Sequence, residues 1–190
     1  MSISGDVRAA LRARYYLRGA EFGGARVRLW GKPSVSNQGR LVIGDRVRLY
    51  STVATLEIGI GPDALLEIGS NVLINYGCSF GVLRHVKVGN DVNIGTHCML
   101  IDNAFHRLEP DRRNEAPPSE PIVLGDNVWL AARVIVLPGV SIGDNSVVGA
   151  GSVVTQSLPE NVLAAGCPAK VLRTIAGPDA SQDRGPLAAR

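Results

Sequence analysis

Along the second half of the chain an aliphatic residue returns at every sixth position. Leu124, Leu130, Val136, Ile142, Val148 and Val154 hold one register without a slip. Four positions after each stands a second small or branched residue: Val128, Val134, Val140, Ser146, Ser152 and Leu158. A helix face repeats near 3.6 residues and a strand face at two, so neither accounts for a beat of six. The same phrase recurs upstream, as IGDRV from Ile43, IGSNV from Ile68 and VGNDV from Val88, then as LGDNV from Leu124 and IGDNS from Ile142. Ile74 and Phe80, and then Ile94 and Leu100, carry the hexads between these phrases with small slips. Repetition on this period belongs to a parallel β-helix, in which three short segments and their corners make a triangular coil of about eighteen residues. The aliphatic residue of each hexad points inward onto its equivalent in the next coil, so each coil is stabilised mainly by its neighbours. The glycine after it is expected to supply a corner conformation that a Cβ would penalise, and the following Asp or Asn to tolerate a left-handed turn. An antiparallel sandwich would need two-residue alternation over longer runs and turns every 8–12 residues, which residues 124–158 do not show.

The flanks read differently. Residues 1–25 form an N-terminal helix and lead-in, the helix covering DVRAALRARYYLRG (6–19), with Asp6 as N-cap, Gly19 as stop and Leu11, Tyr15 and Leu17 as its buried face. Residues 26–175 form the β-helix, whose first, irregular coil at 26–42 already sets Leu29, Val35 and Leu41 six apart. The stretch NVLAAGCPAKVLRTIAG is expected to finish the last coil and turn into a short capping helix, leaving 176–190 as a disordered tail. The predicted fold class is therefore all-β: a parallel β-helix with a short N-terminal helix, one long inserted loop and a C-terminal capping helix.

Composition narrows the partners. A chain of 190 residues with 45% apolar content and a mean hydropathy of +0.12 is most economically one packed domain. No run approaches the roughly eighteen apolar residues of a membrane span, and no secretory leader is evident, so a cytoplasmic location is expected. Cys78, Cys98 and Cys167 make neither a CxxC pair nor an even set and read as buried small residues in a reducing compartment. Net charge is +3, its basic residues gathered near the start of the chain and at Arg112 and Arg113. With only 5% aromatic residues there is no stacking platform for nucleic acid, and the basic helix supports at most weak membrane-surface association.

The beat stops between Leu100 and Ile122, where IDNAFHRLEPDRRNEAPPSEP intervenes. Gly89 to Gly125 spans 36 residues, one coil plus an insertion of equal length at 102–121. A solenoid that suspends its register for such a loop is often presenting function there. The loop carries His106, an imidazole able to take a proton from a hydroxyl or amine attacking an acyl carbonyl. Asp102 and Arg112 stand near it as candidate acceptor contacts, Arg112 and Arg113 suiting an acidic sugar or phosphate. From composition alone these residues read equally as solvated surface.

The run Gly125 to Arg173, GDNVWLAARVIVLPGVSIGDNSVVGAGSVVTQSLPENVLAAGCPAKVLR, taken with the loop histidine, resembles the hexapeptide-repeat acetyltransferases over residues 26–175. The resemblance is strongest to the branch containing sugar O-acetyltransferases and antibiotic-modifying xenobiotic acetyltransferases. It implies a left-handed β-helix, an exception to the usual crossover hand, assembled as a homotrimer with acetyl-CoA as co-substrate and no metal. It implies His106 as general base for direct attack on the thioester, and Asn75 near the acceptor. Trp129, Ala132, Ala150, Thr155, Gln156, Lys170 and Arg173 would line the donor groove, the last two near its phosphates. Two departures touch the acceptor: Val82-Leu83-Arg84 lacks the acidic residue of the galactoside and maltose enzymes, and Phe105 stands where they have glycine. The expected reaction is acetyl transfer to a hydroxyl of a sugar or glycan, as in polysaccharide or lipopolysaccharide precursors. The alternatives are an amino sugar or antibiotic acceptor, a zinc carbonic-anhydrase-like site using His85, His97 and His106, or a non-catalytic scaffold.

Overall fold

The computed structural model describes residues 3–175, so the proposed tail at 176–190 lies outside the described residues. Three parallel sheets form the faces of a triangular prism. The first face holds Glu21–Phe22, Arg40–Ile43, Leu65–Ile68, His85–Val88, Ile122–Leu124 and Ser141–Ile142, in that spatial order. The second runs from Arg28–Gly31 through Arg48–Ser51, Leu73–Ile74, Asn93–Ile94, Trp129–Leu130 and Val147–Val148 to Val162–Gly166. The third holds Ser34–Asn37, Glu57–Ile60, Ser79–Val82, Met99–Ile101, Ile135–Val136 and Val153–Val154. Each strand pairs in parallel with its equivalent one coil on: Leu124 lies beside Ile142, Leu130 beside Val148 and Val136 beside Val154. The eighteen-residue coil is thus realised in the second half, and all twelve residues of the sixfold pattern are buried.

The core is one continuous column. Ile74, Phe80, Val88, Ile94 and Leu100 are at most 1% exposed, and so are Leu29 and Leu41 of the first coil. Because the inward residues of successive coils stack like on like, removing one opens a void between two neighbours that cannot close around it.

The glycines of the IGD phrases serve a purpose other than the expected one. A Cβ on Gly69 would lie 2.5 Å from the carbonyl oxygen of Gly89, and one on Gly89 would lie 2.5 Å from that of Gly125. Neither glycine has a positive φ. They are small because adjacent coils touch there, and the left-handed residue is the Asn or Asp two places later. Asn71, Asp91, Asn127, Asn145 and Asn161 all have φ between 56° and 59°. Their side chains climb the corner as a ladder, Asn127 donating to Asn145 and Asn145 to Asn161 at 3.0 Å each.

Both ends depart from expectation. The helix runs Ile3–Tyr16, so Asp6 sits within its first turn, not at its cap. Its buried stripe is Ala9, Ala13 and Leu17, spaced four apart, whereas Leu11 and Tyr15 are exposed. Gly19, with φ +89°, does end the turn that follows. At the other end there is no capping helix: Val162–Gly166 and Ala169–Thr174 form an antiparallel hairpin. Val147–Val148 would otherwise leave an open strand edge, and pairing that edge outweighs the helical leaning of AAGCPAKVLR. The buried hydroxyls of Ser146 and Ser152 fasten the hairpin by accepting from the amides of Val162 and Gly166 at 3.2 and 3.0 Å. Cys78 and Cys98 are buried as expected, whereas Cys167 is exposed in the hairpin turn.

Candidate active site

The inserted loop leaves the third face after Ile101 and returns to the first at Ile122, so it occupies one corner of the prism. Its root is closed by the Glu120 amide donating to the Asp102 carbonyl at 2.9 Å. The Asp102 side chain, fully buried, accepts the amides of Leu83, Arg84 and His85, each at 2.8 Å. Both carboxylate oxygens are therefore occupied, and Asp102 anchors the loop to the preceding corner instead of facing an acceptor. Asn103 braces the other side, its amide nitrogen donating to the Pro117 carbonyl at 2.9 Å and to Ser119 Oγ at 2.8 Å. Its side-chain oxygen accepts from the amide of Phe105.

These braces force a sharp turn just before the histidine. The His106 amide donates to the Ala104 carbonyl at 2.7 Å, closing a three-residue turn with Phe105 at its apex. Phe105 has φ +60°, a conformation that costs a non-glycine residue about 1–3 kcal/mol and persists only where its surroundings enforce it. The result is an exposed imidazole whose Nδ1 lies 2.9 Å from the carbonyl oxygen of Arg113. A carbonyl only accepts, so Nδ1 carries the proton and Nε2 presents a free lone pair.

The remaining loop charges bind one another. Arg112 holds Glu115 through Nε at 3.1 Å and a terminal nitrogen at 2.7 Å, and Arg107 Nε reaches the same carboxylate at 3.3 Å. Hydrogen bonding to Arg112, with the charge of Arg107 beside it, holds the Glu115 carboxyl below its usual range. Arg113 turns its guanidinium to the Leu108 carbonyl at 2.9 Å. Arg112 is thus engaged inside the loop and does not stand free toward an acceptor.

The donor-side candidates lie elsewhere. Ala132 and Ala150 occupy the corner between the second and third faces in successive coils, joined by the Gly151 amide donating to the Ala132 carbonyl at 2.9 Å. Trp129 stands on the second face with its indole 52% exposed, although its neighbours in the strand pair, Asn93 and Val147, could have packed a smaller residue as well. Lys170 and Arg173 are exposed on the outgoing hairpin strand, and neither pairs with a carboxylate among the described residues. Thr155 and Gln156 are exposed at the corner after Val153–Val154. Asn75 is half-buried where strand Leu73–Ile74 turns toward the third face. The structure therefore gathers Trp129, Ala132, Ala150 and Asn75 along one edge of the prism and sets His106 at another, across the width of the third face.

The other histidines are separate from this arrangement. His85 Nε2 lies 2.6 Å from Glu67 Oε2 on the first face, His85 opening a strand and not a turn. His97 sits at a corner with φ +58°, its ring edge-on to Tyr76 at 5.7 Å. Among the described residues, no group of three or more His, Cys, Asp or Glu is disposed to hold a metal ion. No described helix is long and apolar enough to cross a membrane.

Sequence reasoning missed Asn103, the Phe105 turn and the Arg113 carbonyl. The only signal available was the Asp-Asn pair at the point where the hexad register fails.

Comparison with known proteins agrees with the geometry. The family described as "Bacterial transferase hexapeptide (six repeats)" matches residues 121–156. The galactoside O-acetyltransferase of Lactococcus lactis is 42% identical over 111 residues, 58% of this chain and 53% of that protein. The chain thus matches about half the length of such curated relatives. A hexapeptide-repeat-containing acetyltransferase of Vibrio cholerae, solved with acetyl coenzyme A, is 26% identical over 92% of this chain and 87% of its own, with a TM-score of 0.58. A galactoside acetyltransferase solved with coenzyme A is 26% identical over 91% of this chain and 82% of its own, also at 0.58. By repeat, by coil geometry and by these likenesses, the chain belongs to the hexapeptide-repeat acetyltransferases, proteins of the left-handed β-helix fold.

Proposed function

We propose that this chain transfers an acetyl group from acetyl-CoA to a hydroxyl of a sugar or glycan, with His106 as general base. The observation that carries the reading is the 2.9 Å contact of His106 Nδ1 with the Arg113 carbonyl, which leaves Nε2 as a proton acceptor on an exposed, braced loop. Nε2 takes the hydroxyl proton as the oxygen attacks the thioester carbonyl. The tetrahedral adduct then collapses, the C–S bond breaks, and the departing thiolate receives that proton from the imidazolium. No cysteine nucleophile is required, consistent with Cys78 and Cys98 being buried; the neighbouring Cys98 sulfur, with burial, pushes the Cys78 thiol up.

The fit to the donor rests on the edge described above. Ala132 and Ala150 give a main-chain path free of bulky side chains, and Trp129 offers an exposed wall beside it. Lys170 and Arg173 offer cations for phosphates at the hairpin end, with Thr155 and Gln156 as further contacts. Asn75 lies on the same side as the presumed acetyl end. Because His106 and this edge are separated by the third face, the reading calls for a second copy of the chain to bring one loop to the neighbour's edge, and a homotrimer meets that need by rotational closure. Sugar acceptors are favoured by the galactoside-acetylating relatives, and a cytoplasmic setting by a reaction that draws on acetyl-CoA.

Replacing His106 with alanine tests the base. Thiol release from acetyl-CoA in the presence of a sugar panel should fall by about 10²–10⁴-fold. Melting temperature and coenzyme A binding should stay unchanged, because the imidazole is exposed. Turnover at the wild-type rate would remove His106 from the chemistry.

A further inference from the structure

Beside the catalytic loop the third face has a shallow apolar groove of about 350 Å³, bounded by Gly59, Gly81, Pro62, Leu83 and Phe105, with Gln38 on its rim. The strained turn that presents His106 also lays the Phe105 ring against this groove, so the two features share one stretch of backbone. Leu83 and Phe105 remain 40% and 48% exposed, and they face a floor with no side chain on it. Exposed large apolar groups converging on an open floor beside polar chemistry mark a place where an apolar group is received.

The glycines of that floor are not alike. A Cβ on Gly81 would come within 3.2 Å of Ile101, and one on Gly61 within 2.8 Å of Leu83, so packing demands both. A Cβ on Gly59 would meet nothing nearer than the Phe80 carbonyl oxygen at 3.8 Å, and its φ is not positive. Gly59 lies within strand Glu57–Ile60, where a branched side chain would favour the fold. Nothing in the fold requires glycine there; what its missing side chain provides is space.

We infer that this groove is an acceptor subsite for an apolar aglycone, and that Gly59 sets specificity by leaving its floor open. The inference rests on the reading of His106 as the base that activates the acceptor hydroxyl. An aryl or alkyl group attached to the sugar would lie between Phe105 and Leu83 over Gly59, holding the attacking hydroxyl toward the imidazole. The acidic residue that galactoside and maltose enzymes place in the turn held here by Val82-Leu83-Arg84 would be out of place against such a group.

The test compares para-nitrophenyl β-galactoside with galactose, which share their hydroxyls and differ in the aryl group, on the assembled full-length protein. Calorimetric binding and steady-state KM should both favour the aryl galactoside by about tenfold or more. Gly59→Val should erase that preference and Gly59→Ala reduce it, with melting temperature, coenzyme A affinity and the KM for galactose unchanged. Equal binding of the two sugars by the wild type, no binding of the aryl probe, or a preference that survives Gly59→Val would each overturn the subsite. His106→Ala separates the two readings: it should abolish turnover while keeping the aryl preference in binding. Turnover retained by that variant would sink the base and leave the calorimetry to judge the groove.

Discussion

The coils from Leu124 to Leu158 and the loop from 102 to 121 are held together by opposite means. In the coils every inward residue repeats, every strand pairs with its image, and the same corner recurs with the same asparagine. In the loop nothing repeats. Asp102 gathers three amides, Asn103 ties two passages of chain, and the Arg113 carbonyl sets one imidazole. The coils spread their stability over many equivalent contacts; the loop concentrates its geometry in a few unlike ones. A site needs unlike groups at fixed positions, which a repeat cannot supply and an interruption can.

The largest effect that sharpens this contrast is in the coils. Leu130→Ala removes a fully buried side chain from the stack and should cost about 2–5 kcal/mol in denaturant unfolding. Activity measured well below the melting transition should stay near wild type, because no loop contact is touched. Asp102→Asn should show the reverse balance. It replaces one amide-accepting oxygen with a donor that faces another donor, costing about 1–3 kcal/mol, yet acetyl transfer should fall by more than tenfold as the loop root loosens. If turnover dropped only in step with stability, the division of labour between coil and loop would be wrong.

The smallest effect concerns Glu115. Its folded pKa is depressed, so its contribution to loop order is present above the ordinary carboxylate range and is lost as pH falls through the folded value. Glu115→Gln should raise proteolytic cleavage within residues 107–115 at neutral pH by roughly twofold, in keeping with an exposed pair. That difference should vanish on the acid side. A difference that persisted after the carboxyl is protonated would mean that the charge is not what holds the loop.

The division between regions also explains what could be read in advance. The sixfold beat requires only that aliphatic residues recur, so Leu124 to Val154, the parallel coils and the interruption after Leu100 were all legible. So was His106 as the titratable group on that interruption. What escaped depends on contacts between distant positions. AAGCPAKVLR has a helical composition, yet the open edge at Val147–Val148 and the hydroxyls of Ser146 and Ser152 draw it into a hairpin. Leu11 and Tyr15 looked like a buried face, but the helix docks through the smaller Ala9 and Ala13, which allow close approach. The glycines of the corner phrases were correctly placed but for a different reason, since their closest neighbours lie in the next coil and not in their own turn. Asp102 was expected to meet the acceptor, and no local pattern reveals that three amides from residues 83–85 converge on it.

A prism built by stacking identical layers has no intrinsic reason to stop, since its last layer is always a template for another. Here the final strand reverses direction, and Lys170 to Thr174 turn charged or exposed side chains outward on the terminal rung. The hairpin thereby gives an endlessly extendable pattern a definite length and denies passing chains a matching surface on which to polymerise.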